Sequence, residues 1–263
     1  MKSSILSANQ ILFLEKAGKN KFLAENFYLS GGTPLAEVYL KHRYSEDLDF
    51  FSEQEFDILN INIFLKNIKK ELGIKKMDFE QSFNRNLFFL HFKNEILKIE
   101  FTYFPFTRLE KGKKMHNITI DSLFDIAVNK LFTVYQRTKA RDFIDLFFIS
   151  KYTGFSISYL IKNAKAKFDF HIDHLQLGTQ FIKVESAKDY PRMIKKLDKN
   201  ELKKFYRVFL NVRKLRLPVI AAINGHAMGA GFCLALACDL RYASITAKMG
   251  ANFARLGLAP GMG

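Results

Sequence analysis

Two carboxylates one residue apart, Asp47 and Asp49, stand at the head of the apolar run LDFFS, shortly after Gly31-Gly32-Thr33. Alternate residues of a strand project from one face, so this spacing predicts both acids on one side with Leu48 buried on the other. Acids held so close repel each other unless a cation lies between them. Hard oxygen donors of this kind suit Mg²⁺ (or Mn²⁺), which takes one or two carboxylates while substrate phosphates supply further ligands. A glycine pair lets backbone N–H groups approach a phosphate closely, and a helix beginning just after it adds a favourable dipole. Asp-x-Asp alone is a common surface pattern. The turn ahead of it and the apolar strand beneath it together predict a metal–triphosphate site.

The elements that must position these groups follow from the apolar pattern. Residues 7–24 predict an opening helix, and FYLS a short strand ended by the glycines. Thr33 and Pro34 suit the N-cap and first turn of a following helix. LDFFS reads as a strand and DILNINIFLKNIKKEL as a helix. MDFEQSF, LFFLHF and EILKIEFTYF read as consecutive antiparallel strands, with hairpin turns at FNRN and KNE. From TIDSLFDIAVNKLFTVYQR to about residue 204 the pattern is helical, punctuated by Gly154 and Pro191. After that, glycine and alanine rise and lysine thins. LPVIAAINGHAMGAGFCLALACDLRYAS reads as strand, glycine turn, small-residue helix and strand. The expected division is a mixed core over 1–115, a helical half over 116–204 and a distinct segment over 205–263.

Composition narrows the classes. The chain has 263 residues, 48% of them hydrophobic, with a formal charge of +15. That charge fits either solvated lysine-rich helix faces or affinity for a polyanion. No apolar run is long enough to span a bilayer, and the N-terminus lacks the apolar stretch of a signal peptide, so a cytoplasmic protein with no membrane partner is expected. Cys233 and Cys238 have no metal-ligand cluster around them and read as buried thiols.

The constellation Gly31, Gly32, Thr33, Arg43, Ser45, Asp47 and Asp49 resembles the nucleotidyltransferase toxins of the AbiEii/AbiGii family, within the polymerase-β-like superfamily. KIEFT (Lys98, Ile99, Thr102) is similar to that family's Lys-Leu-x-x-Thr motif, with Glu100 where the superfamily often has a third carboxylate. DIAVNKL supplies Asp125 and Lys130. RDFIDL supplies Arg141, Asp142 and Asp145 in an Arg-Asp-x-x-Asp pattern. The motifs fall in family order over about residues 1–204. The resemblance implies an α+β fold: a polymerase-β-like nucleotidyltransferase domain with a helical C-terminal half. It implies in-line nucleotidyl transfer, with Asp47 and Asp49 on the metal and Glu100 and Lys98 assisting. Gly31, Gly32, Thr33, Arg43, Ser45, Thr102, Lys130 and Asp142 would surround the nucleoside triphosphate. It further implies an RNA acceptor, a tRNA end among the candidates, and restraint by a separately encoded antitoxin.

Residues 205–263 resemble a different family, the crotonase (enoyl-CoA hydratase/isomerase) superfamily, as a partial α/β fragment. Ala230 matches an oxyanion-hole position, but Cys233 and Phe253 stand where a hydratase carries its catalytic glutamates. A single oxyanion donor cannot form the two-donor hole that acyl-CoA enolate chemistry needs. A non-catalytic graft is therefore expected. The alternatives are an acyl-CoA-binding crotonase-like protein and an RNA-binding module that keeps only the fold.

Overall fold

The structure is a computed structural model and describes residues 4–207 and 216–252. Helix α1 (Ala8–Lys19) opens with a capping box in which Ser7 and Gln10 satisfy each other's backbone N–H groups. Asn20 turns extended, ends α1, and caps α2 (Lys21–Asn26) with its own side chain. The single opening helix expected from the sequence is therefore two. Strand β1 (Tyr28–Ser30) leads into a short helix, α3 (Gly32–Pro34), which continues as a π-helical turn, Leu35–Leu40. Then come β2 (Leu48–Ser52), α4 (Ile58–Lys69), β3 (Lys76–Ser82), β4 (Arg85–His91) and β5 (Ile96–Tyr103). Two three-residue strands follow, β6 (Lys113–Met115) and β7 (Ile118–Ile120).

The seven strands form one sheet in the order β3-β4-β5-β2-β1-β7-β6. The expected meander β3-β4-β5 is antiparallel throughout, and β2 lies parallel to β5 in the register Leu48↔Ile99, Asp49↔Glu100 and Phe50↔Phe101. The sequence reading had no β6 or β7, because three residues offer too little alternation. Their signal lies instead in His116 and Asn117. Both have positive φ, as a two-residue hairpin turn demands.

Period-two alternation decides what each face of the sheet does. Leu29, Leu48, Phe50, Ile99 and Phe101 belong to one buried cluster with Phe13, Leu14 and Ala17 of α1 and Ile61, Phe64 and Leu65 of α4. Phe13 meets Phe50 and Phe64 edge to face. The intervening residues, Ser30, Asp49, Glu100 and Thr102, are thereby directed to the opposite face.

The remaining helices are α5 (Leu123–Gln136), α6 (Ala140–Thr153), α7 (Ile157–Phe168), α8 (His174–Ile182) and α9 (Lys199–Tyr206). The chain forms two compact units. One contains Met1–Leu131, Phe148–Phe170 and Pro191–Lys196; the other contains Phe132–Phe147, His171–Tyr190 and Leu197–Gly263. Within the second unit Tyr206 is fully buried, donates its hydroxyl to Phe143 O at 2.8 Å and packs against Phe143 and Phe181. Also in this unit are β8 (Ile220–Ile223), β9 (Ala227–Met228), α10 (Ala230–Ala237), β10 (Leu240–Ala243) and β11 (Met249–Gly250). β8 pairs only with β10, and β9 only with β11, among the described residues. Ile220, Leu234, Leu236, Leu240 and Tyr242 are exposed there. Cys233 and Cys238 are half-buried rather than buried, since α10 carries too little structure around it to enclose them. Among the described residues no helix is long and apolar enough to cross a membrane.

Candidate active site

The loop from His42 to Asp47 is fastened from several sides within the first unit. Thr33 is buried and its hydroxyl donates to Ser45 Oγ at 2.9 Å and to the Asp47 carbonyl. The sequence had suggested Thr33 as an N-cap, but Gly31 holds that position and the hydroxyl is spent on the loop. Gln10 Nε2, buried at the start of α1, donates to the carbonyls of Ser45 and Glu46, both at 3.1 Å. Arg43 is buried and donates to the Tyr44 carbonyl. Downstream residues return to brace the same loop. Arg43 forms a bridge with Met193, Tyr44 N–H donates to Arg192 O, and the N–H groups of Ile194 and Lys195 both donate to His42 O. The Arg192 guanidinium lies 3.6 Å from the centroid of the Tyr44 ring.

The two glycines meet this packing in different ways. Gly31 has φ +81, and a Cβ there would meet Asp49 Oδ2 at 2.9 Å. Gly32 has no such φ. A Cβ there would overlap the Arg43 guanidinium and come within 3.0 Å of Ser45 Oγ.

Asp49 and Glu100 sit in register on β2 and β5, and Asp47 just precedes β2 rather than lying on it. Lys98 Nζ, on β5, is 3.2 Å from Asp47 Oδ2. Burial pushes the Asp49 carboxyl up to about 6, and the charges of Glu100 and Asp47 push the same way, while Lys98 and Lys130 oppose them. Burial would also raise Glu100. Hydrogen bonds from Arg85 and Thr102 outweigh it and hold that carboxyl below its usual range. Arg85 Nε and Nη2 each reach a Glu100 oxygen at 2.6 Å, and Thr102 Oγ1 donates to Oε1 at 2.8 Å. Among the described residues no three His, Cys, Asp or Glu side chains converge as a metal-binding group. Glu100 is turned onto Arg85, which leaves Asp47 and Asp49 as the hard-oxygen pair. These residues fit Mg²⁺ or Mn²⁺: the donors are carboxylates, and the cost of charging Asp49 beside two other acids is one a divalent cation relieves.

The structure thus brings together Gly31, Gly32, Thr33, Arg43, Ser45, Asp47, Asp49, Lys98, Glu100 and Thr102 in one unit. Lys130, buried on α5, lies close enough for its charge to favour ionisation of Asp49. Asp142 belongs to the other unit, where it is fully buried and accepts from Arg137 Nε at 2.9 Å. Asp125 is committed to structure. It accepts from the N–H groups of Leu109 and Glu110, from Ser122 Oγ and from Lys167 Nζ at 2.7 Å. Ala230 is the first residue of α10, after Gly229 at the N-cap, and its side chain lies outside the described residues, as does Phe253. Sequence reasoning missed Arg85, Gln10 and the 191–196 strap. Only Gln10 carried a local signal, as the third residue of the Ser7 capping box.

Residues 13–212 match the family described as "Nucleotidyl transferase AbiEii toxin, Type IV TA system". The chain belongs to this family. An uncharacterized Aquifex aeolicus protein, aq_aa25, is 30% identical over 171 residues, which are 64% of this chain and 78% of that one. JHP933 from Helicobacter pylori shares the fold with a TM-score of 0.50 at 19% identity, over 77% of this chain and 88% of that structure. This AbiEii chain is therefore a nucleotidyltransferase, and its sheet is of the polymerase-β-like type. Residues 186–263 also match the family described as Enoyl-CoA hydratase/isomerase. A short-chain-enoyl-CoA hydratase of Clostridium acetobutylicum is 46% identical over 57 residues, so the chain spans about a fifth (22%) of that relative's length. The two family matches overlap over 186–212. There the structure uses Pro191–Lys196 to brace the His42–Asp47 loop and Tyr206 to fill the second unit.

Proposed function

We propose that the chain transfers a nucleotide from a nucleoside triphosphate to an RNA acceptor, such as a tRNA end, in a Mg²⁺- or Mn²⁺-dependent reaction. The observation that carries this reading is the pairing of Asp47 and Asp49 with the Gly31-Gly32 turn, with Asp49 packed against Gly31. Asp47 and Asp49 hold the metal, which supplies charge stabilisation at the phosphoryl group and the leaving pyrophosphate when bound. The Gly31–Thr33 turn admits triphosphate oxygens to backbone N–H groups, helped by the start of α3. Lys98 and Lys130 offset phosphate charge on the same face. Arg43, Ser45 and Thr102 keep the loop and β5 in place rather than meeting substrate, and Asp142 braces its own unit through Arg137.

Membership of a family described as a toxin of a toxin–antitoxin system supports a role as the toxic partner, restrained by a separately encoded antitoxin. The crotonase-like segment takes no part in this chemistry. Purified protein is to be incubated with each labelled nucleoside triphosphate, Mg²⁺ and total RNA, with and without chelator. Label entering RNA in wild type but not in Asp49→Asn supports the reading. Equal labelling by both proteins sinks it.

A further inference from the structure

The Arg85–Glu100 pair has no part in the reading above, yet it lies at the centre of the carboxylate face. Arg85 engages both oxygens of Glu100 at 2.6 Å while Thr102 adds a bond to one of them. A carboxylate gripped in this way has three of its roughly four lone-pair sites taken, and the guanidinium charge against both oxygens opposes a cation approaching either. Arg85 itself is half exposed, at 49% of its side chain, although Glu100 is buried. It is the first residue of β4, directly after the β3–β4 turn. In that turn Phe83 has φ +49 and is 98% exposed. A guanidinium fork matches a phosphate as well as it matches a carboxylate, and an exposed ring beside it is a stacking surface for an unpaired base.

We propose that Arg85 is a positioning residue that holds Glu100 away from the metal in the free enzyme, and releases it when a phosphate of single-stranded RNA takes the guanidinium. Acceptor and metal then bind cooperatively, because each favours the arrangement in which Glu100 has left Arg85. The inference rests on the reading of Asp47 and Asp49 as metal carriers. It adds that the complete carboxylate set assembles only with acceptor present, with Phe83 receiving a base at the hairpin tip.

The test reads Mn²⁺ binding by electron paramagnetic resonance, without nucleotide. Arg85→Ala should bind Mn²⁺ at least about fivefold more tightly than wild type. Arg85→Gln, which keeps most of the side chain's packing, should do the same. Glu100→Gln should stay near wild type, and the double variant Arg85→Ala/Glu100→Gln should lose the gain. A short single-stranded RNA, its own Mn²⁺ uptake subtracted, should tighten binding to wild type and leave Arg85→Ala unchanged. Equal affinity in wild type and both Arg85 variants, or a gain that survives in the double variant, overturns the proposal. Asp49→Asn separates the two readings. If it binds Mn²⁺ like wild type, the metal reading fails. If it loses Mn²⁺ while the Arg85 variants gain none, the metal reading stands and this inference falls.

Discussion

Asp49 and Glu100 occupy paired positions on adjacent parallel strands, and the charge of Glu100 adds to burial in making Asp49 costly to ionise. An aspartate raised from 3.8 to about 6 stabilises the fold only while protonated. That contribution is full below pH 3.8 and is lost as pH rises through about 6. Above that, the ionised side chain costs about 3 kcal/mol relative to the unfolded chain. Asp49→Asn should therefore abolish transfer yet melt several degrees above wild type at pH 8 in chelator, with the gap closing towards pH 4. Thermal melts across this range check it, and a variant less stable at pH 8 contradicts it. The same ionisation predicts that uptake of the metal weakens as pH falls, because protons and the cation compete for Asp49.

The two glycines should fail differently. Gly31→Ala places a side chain at positive φ against Asp49, at a strain of about 1–3 kcal/mol. Gly32→Val instead displaces the buried Arg43, so it should lose both nucleotide affinity and stability rather than affinity alone. Urea unfolding and calorimetric titration with a nucleoside triphosphate measure both. Unchanged binding in the two variants would remove the turn from the phosphate site.

Asp142 offers a contrast in sign. Its carboxylate is buried on the Arg137 hydrogen bond, and removing it as Asp142→Ala leaves that arrangement broken, at about 1–3 kcal/mol. This variant should melt below wild type at pH 8, where Asp49→Asn melts above it. Melting at or above the wild-type temperature would show that Asp142 is not a brace.

Shortening the chain should show where the nucleotidyltransferase ends. A chain stopping at Arg207 keeps Tyr206 and should retain transfer, with solubility at least equal to the full chain, because the exposed apolar residues of β8–β11 are gone. One stopping at Lys204 loses a fully buried aromatic side chain and about 3–5 kcal/mol. Activity assays and melts on the two distinguish them. Acyl-CoA should bind none of these chains, and micromolar binding by the full chain alone would revive an acyl-CoA role for the segment.

The strands that carry the acids were legible because period-two alternation and Phe-rich runs mark β2, β4 and β5 plainly. So was the glycine turn, since Gly31 holds a positive φ that residues with a side chain rarely adopt. The brace from Pro191–Lys196 was not, because a loop pairing with another loop leaves no periodic trace. Arg85 was equally silent: a lysine-rich, arginine-containing chain offers many basic residues, and only the cross-strand register brings this one to Glu100. Thr33 was misassigned because a cap and a loop anchor call for the same hydroxyl.

The bridge between Arg43 and Met193 also sets an order of events in time. The ribosome finishes the sheet and its acids long before it makes the strap that fastens the His42–Asp47 loop. At synthesis rates of ~5–20 residues per second, that interval is on the order of ten seconds. Through that interval Thr33 and Gln10 already hold the Ser45–Asp47 end of the loop, while His42, Arg43 and Tyr44 still lack their strap partners. The His42–Asp47 loop therefore gains its last fastening only after the sheet is complete, as the later residues of the chain emerge.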